Sequence, residues 1–165
     1  APLVTGGTGS ASDSPEMPEL LPDRFEPGTL NLPGIVGLHA GLLWLRETGI
    51  DAVRAHELAL TEQFLAGALS IPNLRVVGRR DVTGRVGVVS VAPENADPAL
   101  VADALGQEHG IMVRVGLHCA PNAHRTLGTY PTGTIRFSFG WHNTPQQVDT
   151  ALSALRELCG RAVWN

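Results

Sequence analysis

Ile111-Met112-Val113-Arg114-Val115-Gly116-Leu117-His118-Cys119-Ala120-Pro121 is the stretch on which the organisation of the chain turns. Ile111, Val113, Val115 and Leu117 alternate with Met112, Arg114, Gly116 and His118, the two-residue period of a half-buried strand. That strand runs out at a cysteine, just before a proline. Ile135, Phe137 and Phe139 alternate in the same way with Thr134, Arg136, Ser138 and Gly140, which predicts another strand. Two shorter Val-rich segments, 74–78 and 86–92, are expected to be strands as well.

Helix signals lie between and beyond these strands. Asp97-Pro98 offers an N-cap followed by proline at the first helical position, and Gly110 is a C-terminal stop. Thr144 and Gln147 fit a capping box, with Pro145 inside it. Val148, Leu152 and Leu155 form the core stripe of the helix that follows. Residues 71–165 are therefore expected to form a compact α+β domain.

The first part of the chain reads differently. Ile35, Leu38, Leu42 and Leu45 recur at helical spacing over 34–47 and predict a largely buried helix ending near Gly49. Val53, Leu60 and Phe64 mark a second helix over about 51–69, so 50–70 is expected to be a connecting helix. It should stop before Ile71-Pro72, because the residue before proline avoids helical backbone. Pro2-Leu3-Val4 breaks at once into Gly6-Gly7-Thr8-Gly9-Ser10, a strand ending in a glycine loop with no domain ahead of it. Residues 1–49 thus read as the tail end of something larger. Cutting that larger domain away is expected to leave apolar surface uncovered there and to favour self-association.

Composition narrows the function classes. Hydrophobic residues make up 43% and charged residues 17% of the 165 residues, enough apolar material for a packed core. The net charge is −4 and the basic residues do not cluster, which argues against nucleic acid or an anionic membrane surface as partner. No apolar run is long enough to span a bilayer, and the start does not have the pattern of a signal peptide. Two widely separated cysteines, Cys119 and Cys159, do not make a disulfide framework, so a cytoplasmic location is expected. All twelve basic residues are arginine. Chemistry that needs a lysine Schiff base cannot be completed by this chain alone.

Several residues are chemical candidates. Cys119 ends a strand with Arg114 and His118 close by, and those two share a face if the strand stays extended. Thiolate is the reactive form of cysteine, and neighbouring positive charge favours it. On the residues alone, a nucleophile and a small buried hydrophobe beside a surface histidine both stay open. Arg136 points away from the Ile135 and Phe137 face and suits bidentate binding of a carboxylate, unless it is simply a solvated strand arginine. The glycine loop 6–10 lacks the Lys-Ser or Lys-Thr of a Walker motif and fits a plain turn or a phosphate cradle. His118, Cys119, His124 and His142 lack the paired ligand spacing of zinc sites, so no metal is assigned. Cys159 lies on the last helix and is expected to be packing.

Taken in order, Gly6-Gly7-Thr8-Gly9-Ser10, residues 21–38 (Leu-Pro-Asp-Arg-Phe-Glu-Pro-Gly-Thr-Leu-Asn-Leu-Pro-Gly-Ile-Val-Gly-Leu), Val113 to Pro121, Ala123 to Thr129, and Ile135 to Thr144 resemble the C-terminal half of class V aminotransferases. The resemblance is to the cysteine desulfurases and selenocysteine lyases of the SufS-like type, and it covers nearly the whole chain. It implies an α/β fold: an α+β C-terminal small domain plus the end of the large domain of a pyridoxal-phosphate (PLP) enzyme of fold type I. It further implies a homodimer with PLP as cofactor, L-cysteine or selenocysteine as substrate, and sulfur left as a persulfide on Cys119.

Arg136 matches the family arginine that grips the substrate carboxylate, and Arg114 and His118 match pocket residues. Gly7, Thr8 and Thr29 lie in segments resembling those that reach the cofactor phosphate. The PLP lysine and the acidic partner of the pyridine nitrogen belong to the missing N-terminal half, so PLP is not expected on this chain and the chain alone is expected to be inactive. Val115 stands where relatives often have a smaller or hydroxyl residue, which narrows the pocket near Cys119. Two rivals remain: a PLP-free domain that carries sulfur on Cys119, relaying it to an acceptor protein, and a class V aminotransferase or lyase acting on another amino acid.

Overall fold

Burial sorts the alternating segments into two faces of one sheet. The computed structural model describes residues 4–7, 10, 11, 13–162 and 164. Its strands are β1 (Leu74–Val77), β2 (Val88–Pro93), β3 (Arg114–Gly116) and β4 (Thr134–Ser138). They pair antiparallel in the order β1-β2-β4-β3, so β3 lies at an edge. Val89 and Val91 of β2 and Ile135 and Phe137 of β4 turn inward and are almost wholly removed from water.

Helices cover that inward face. α2 (Ile50–Ala68), α3 (Pro98–His109) and α5 (Pro145–Cys159) contribute Leu60, Phe64, Leu65, Val101, Leu105, Val148, Leu152, Leu155 and Leu158 to one core. The Phe64 ring lies 4.7 Å from that of Phe137 and 5.2 Å from that of Phe139. Each fully buried side chain of this size stabilises the fold by about 1.5–3 kcal/mol. The expected caps form. The Asp97 carboxylate accepts from the Ala99 N–H at 2.8 Å, and Gly110 closes α3 with φ 66°. Thr144 and Gln147 make the reciprocal capping box of α5.

The backbone separates into two compact units, residues 1–48 and 49–165. The segment expected to be a connecting helix, α2, lends the second half of its length to the core of the second unit. In the first unit, α1 (Leu32–Thr48) departs from expectation. It is helical, but it has no buried residue, and Leu32, Ile35, Val36, Leu38 and Leu42 are all exposed. Apolar spacing reveals a face that demands cover; it cannot supply the cover. The strand expected from Ile111 is also shorter. Only Arg114–Gly116 pair as β3, and Val115 is 36% exposed. Among the described residues, nothing pairs with the outer side of this edge, and alternation alone does not create a ladder. Among the described residues, no helix is long and apolar enough to cross a membrane.

Candidate active site

The end of β3 leads into a tight turn that carries the cysteine. The Ala120 N–H donates to the Leu117 carbonyl at 2.8 Å. The two residues between them, His118 and Cys119, have φ of 50° and 59°. Both central residues are thus left-handed, as in the primed turns that favour Asn and Gly. For residues with a Cβ this costs roughly 1–2 kcal/mol each. Cys119 is exposed at the tip of the turn. Cys159 lies buried among the α5 packing, and burial pushes its thiol up to about 11. One thiol is therefore presented to solvent and the other withdrawn.

A row of polar side chains stands on the outer face of the sheet beside this turn. Arg136 is directly opposite Arg114 across β3–β4 and directly opposite Ser90 across β2–β4. Residues opposite one another in an antiparallel pair share a face, and like charges so placed repel. The Arg136 Nε is buried and has no hydrogen-bond partner among the described residues. Two guanidiniums side by side, one with a buried orphan donor, suit a bound anion such as a carboxylate.

His118 joins the same group. It reaches Arg114 through the turn; the extended strand face expected from the sequence ends at Gly116. Its Nε2 lies 3.3 Å from the Arg114 carbonyl. A carbonyl only accepts, so in the neutral ring Nε2 carries the hydrogen and Nδ1 keeps its lone pair. Burial of the ring, then the charges of Arg136, Arg114 and His124, holds its pKa below the ordinary 6.5; only the Arg114 carbonyl opposes this. Between that lowered value and 6.5 the unfolded chain binds the proton better, so stability rises with pH there. His118 stability is fully present above about pH 6.5 and is lost as pH falls through the folded pKa. A proton NMR titration should place the His118 ring midpoint below 6.5; a midpoint above it would contradict the clustering of positive charge.

His124, which its spacing excludes as a zinc ligand, and Thr129 also come to this site. His124 lies midway along α4 (Pro121–Leu127) and Thr129 just beyond its Gly128 cap; both are buried, joined by a 2.7 Å bond between Nδ1 and Oγ1. The signals for α4 were present: Pro121 at its first position and Gly128 as its left-handed cap. Behind the turn, Gly133 packs so tightly on Gly116 that a Cβ there would come within 2.2 Å of the Gly116 carbonyl.

The cofactor candidates belong to the other unit. Gly7 and Thr29 are exposed, and the Gly28 N–H donates to the Gly7 carbonyl, so their two segments meet. Thr8 lies outside the described residues. A chain without lysine cannot hold PLP as a Schiff base, so the residues present do not complete a PLP site. For metals, Glu108, His109 and Glu157 bring three possible ligand atoms within 4.8 Å of one another, but Arg161 donates to both carboxylates.

Comparison with known proteins places the chain in a family. The model of the family "Aminotransferase class-V" matches residues 2–151. A probable cysteine desulfurase of Methanothermobacter thermautotrophicus is 35% identical over 96% of this chain and 40% of its own length. One from Pyrococcus abyssi is 39% identical over 83% of this chain and 33% of its own. The apo structure of a cysteine desulfurase from Thermococcus onnurineus NA1 superposes with a TM-score of 0.80 at 34% identity, covering 96% of this chain and 39% of that one. The chain thus spans about two fifths or less of the length of these relatives. The matched span, the shared fold and the identities agree: this chain belongs to the class V aminotransferase family.

Proposed function

We propose that this chain is the sulfur-accepting, substrate-facing portion of a PLP-dependent cysteine desulfurase. The observation that carries the proposal is the exposed Cys119 on a strained turn, continuous with the strand whose Arg114 faces Arg136. Arg136, with its buried Nε unpaired in the chain, binds the carboxylate of L-cysteine, and Arg114 adds charge beside it. His118 keeps a lone pair on Nδ1 next to the thiol in sequence and can take up its proton. Cys119 Sγ then forms an S–S bond to the substrate sulfur as the substrate Cβ–S bond breaks. The carbon keeps the electron pair and gains a proton, so cysteine and thiol become alanine and persulfide.

PLP supplies the electron sink for such bond cleavage, and its lysine lies outside these 165 residues. Gly7, Thr8 and Thr29 would help hold the cofactor phosphate in the complete protein, a cytoplasmic homodimer that passes sulfur to an acceptor protein. Selenocysteine is the alternative substrate for the same chemistry.

The test is mass spectrometry of the chain and of the full-length protein after incubation with cysteine and PLP. The full-length protein should release alanine and gain one sulfur atom on Cys119, and the 165-residue chain alone should do neither. Alanine released by the isolated chain would overturn the division of labour. Sulfur found on Cys159 instead would overturn the site. Uptake of sulfur by Cys119 of the isolated chain from a persulfide donor, with no full-length form made, would favour the PLP-free carrier.

A further inference from the structure

His124 and Thr129 form a buried polar pair where an apolar pair would pack as well. His124 is 6% and Thr129 4% exposed, and their side chains meet at 2.7 Å. Replacing both partners of such a bond with apolar groups of the same shape is nearly neutral for stability. The pair is therefore poorly explained by stability alone. What it touches explains it better.

We propose that His124, through its bond to Thr129, is a positioning residue that clamps His118 and so holds the His118–Cys119 turn in its left-handed form. The relevance of that turn to sulfur transfer rests on the function proposed above; the clamp itself does not.

The His118 ring is held on two sides. Its Nε2 meets the Arg114 carbonyl at 3.3 Å, and its face stacks on the His124 ring with centroids 6.0 Å apart and planes 26° from parallel. His124 is in turn fixed by Thr129, which is itself tied at both backbone groups. The Thr129 N–H donates to the His124 carbonyl at 2.9 Å, and the Gly133 N–H donates to the Thr129 carbonyl at 2.7 Å. The chain of contacts thus runs from the approach to β4, through the end of α4, to the ring of His118. Local structure offers the turn little else. The residue that opens α4, Ala120, makes no side-chain cap, and positive φ is uncommon for any residue with a Cβ, His being better suited to it than Cys. A strained conformation persists only when its surroundings over-determine it. Without the clamp, the Ala120–Leu117 hydrogen bond and the His118–Arg114 contact are left, among the described residues, to hold two strained residues.

The test uses the isotope-labelled chain and Thr129→Val, which removes the hydroxyl and keeps the shape. NMR couplings at His118 and Cys119 report their φ, and exchange of the Ala120 amide reports the turn hydrogen bond. Thr129→Val should average both couplings and speed Ala120 exchange about tenfold, the worth of one net hydrogen bond. Thr129→Ser, which keeps the hydroxyl, should restore both. His124→Leu should behave like Thr129→Val; if it fails to fold, the near-isosteric Thr129→Val decides alone. Couplings and exchange within about twofold of the parent in folded Thr129→Val would overturn the clamp. Sulfur transfer that survives loss of Cys119 would instead sink the sulfur reading and leave the turn measurement standing, so the two failures are distinguishable.

Discussion

Cys119→Ser in the full-length protein is expected to stop sulfur transfer while leaving the fold unchanged. The hydroxyl is a far weaker nucleophile toward sulfur, and removing a nucleophile typically costs about a thousandfold or more in rate. Folding should not suffer, because Cys119 is exposed and contributes nothing to the core. Cys159→Ala provides the contrast. It removes a buried sulfur, lowers stability by about 1 kcal/mol, and leaves transfer intact. Assays of alanine and of protein-bound sulfur, beside denaturation curves, separate the two. Retained desulfuration in Cys119→Ser would show that another group receives the sulfur. Lost desulfuration with retained turnover of a different amino acid would favour the transaminase or lyase alternative.

Gly133→Ala should be among the most damaging small substitutions in the second unit. Gly133 has φ 83°, and an added Cβ would come within 2.2 Å of backbone atoms of Gly116, which cannot rotate aside. Left-handed strain and forced displacement of β3 together predict a loss of about 2–5 kcal/mol. Gly110→Ala isolates the first contribution. Gly110 is also left-handed, at φ 66°, but has nothing within 4 Å of the new carbon. It should lose only about 1–2 kcal/mol. Equal losses at the two positions in urea denaturation would mean that the close approach of Gly133 to Gly116 is relieved at no cost. Because Gly116 precedes the Cys119 turn, Gly133→Ala should also reduce sulfur transfer beyond what its stability loss explains.

The parts of the fold legible in the sequence are those where local and long-range signals agree. α3 and α5 carry their caps in the sequence, and Asp97, Thr144 and Gln147 cap as their positions imply. β4 alternates in sequence because the face carrying Ile135 and Phe137 lies on the core. The misreadings share a cause. α1 was expected to be buried, and β3 to be longer, because periodicity records what a segment could bury or pair with, and not whether a partner is there. At the site, Cys119, Arg114, His118 and Arg136 were visible as residue types in order. The left-handed turn was not, because His-Cys is a poor sequence for it. The pairing of His124 with Thr129 was equally hidden, since a buried hydrogen bond between residues five apart leaves no period in the sequence.

The His118–Cys119 turn also bears on efforts to make the protein hardier. A backbone-guided redesign would rewrite these two positions as Asn-Gly and gain thermal tolerance by doing so. The product would be a better-behaved polypeptide without the thiol proposed to receive sulfur. Any stabilised library of this protein should therefore hold these two positions fixed and look elsewhere for its gains.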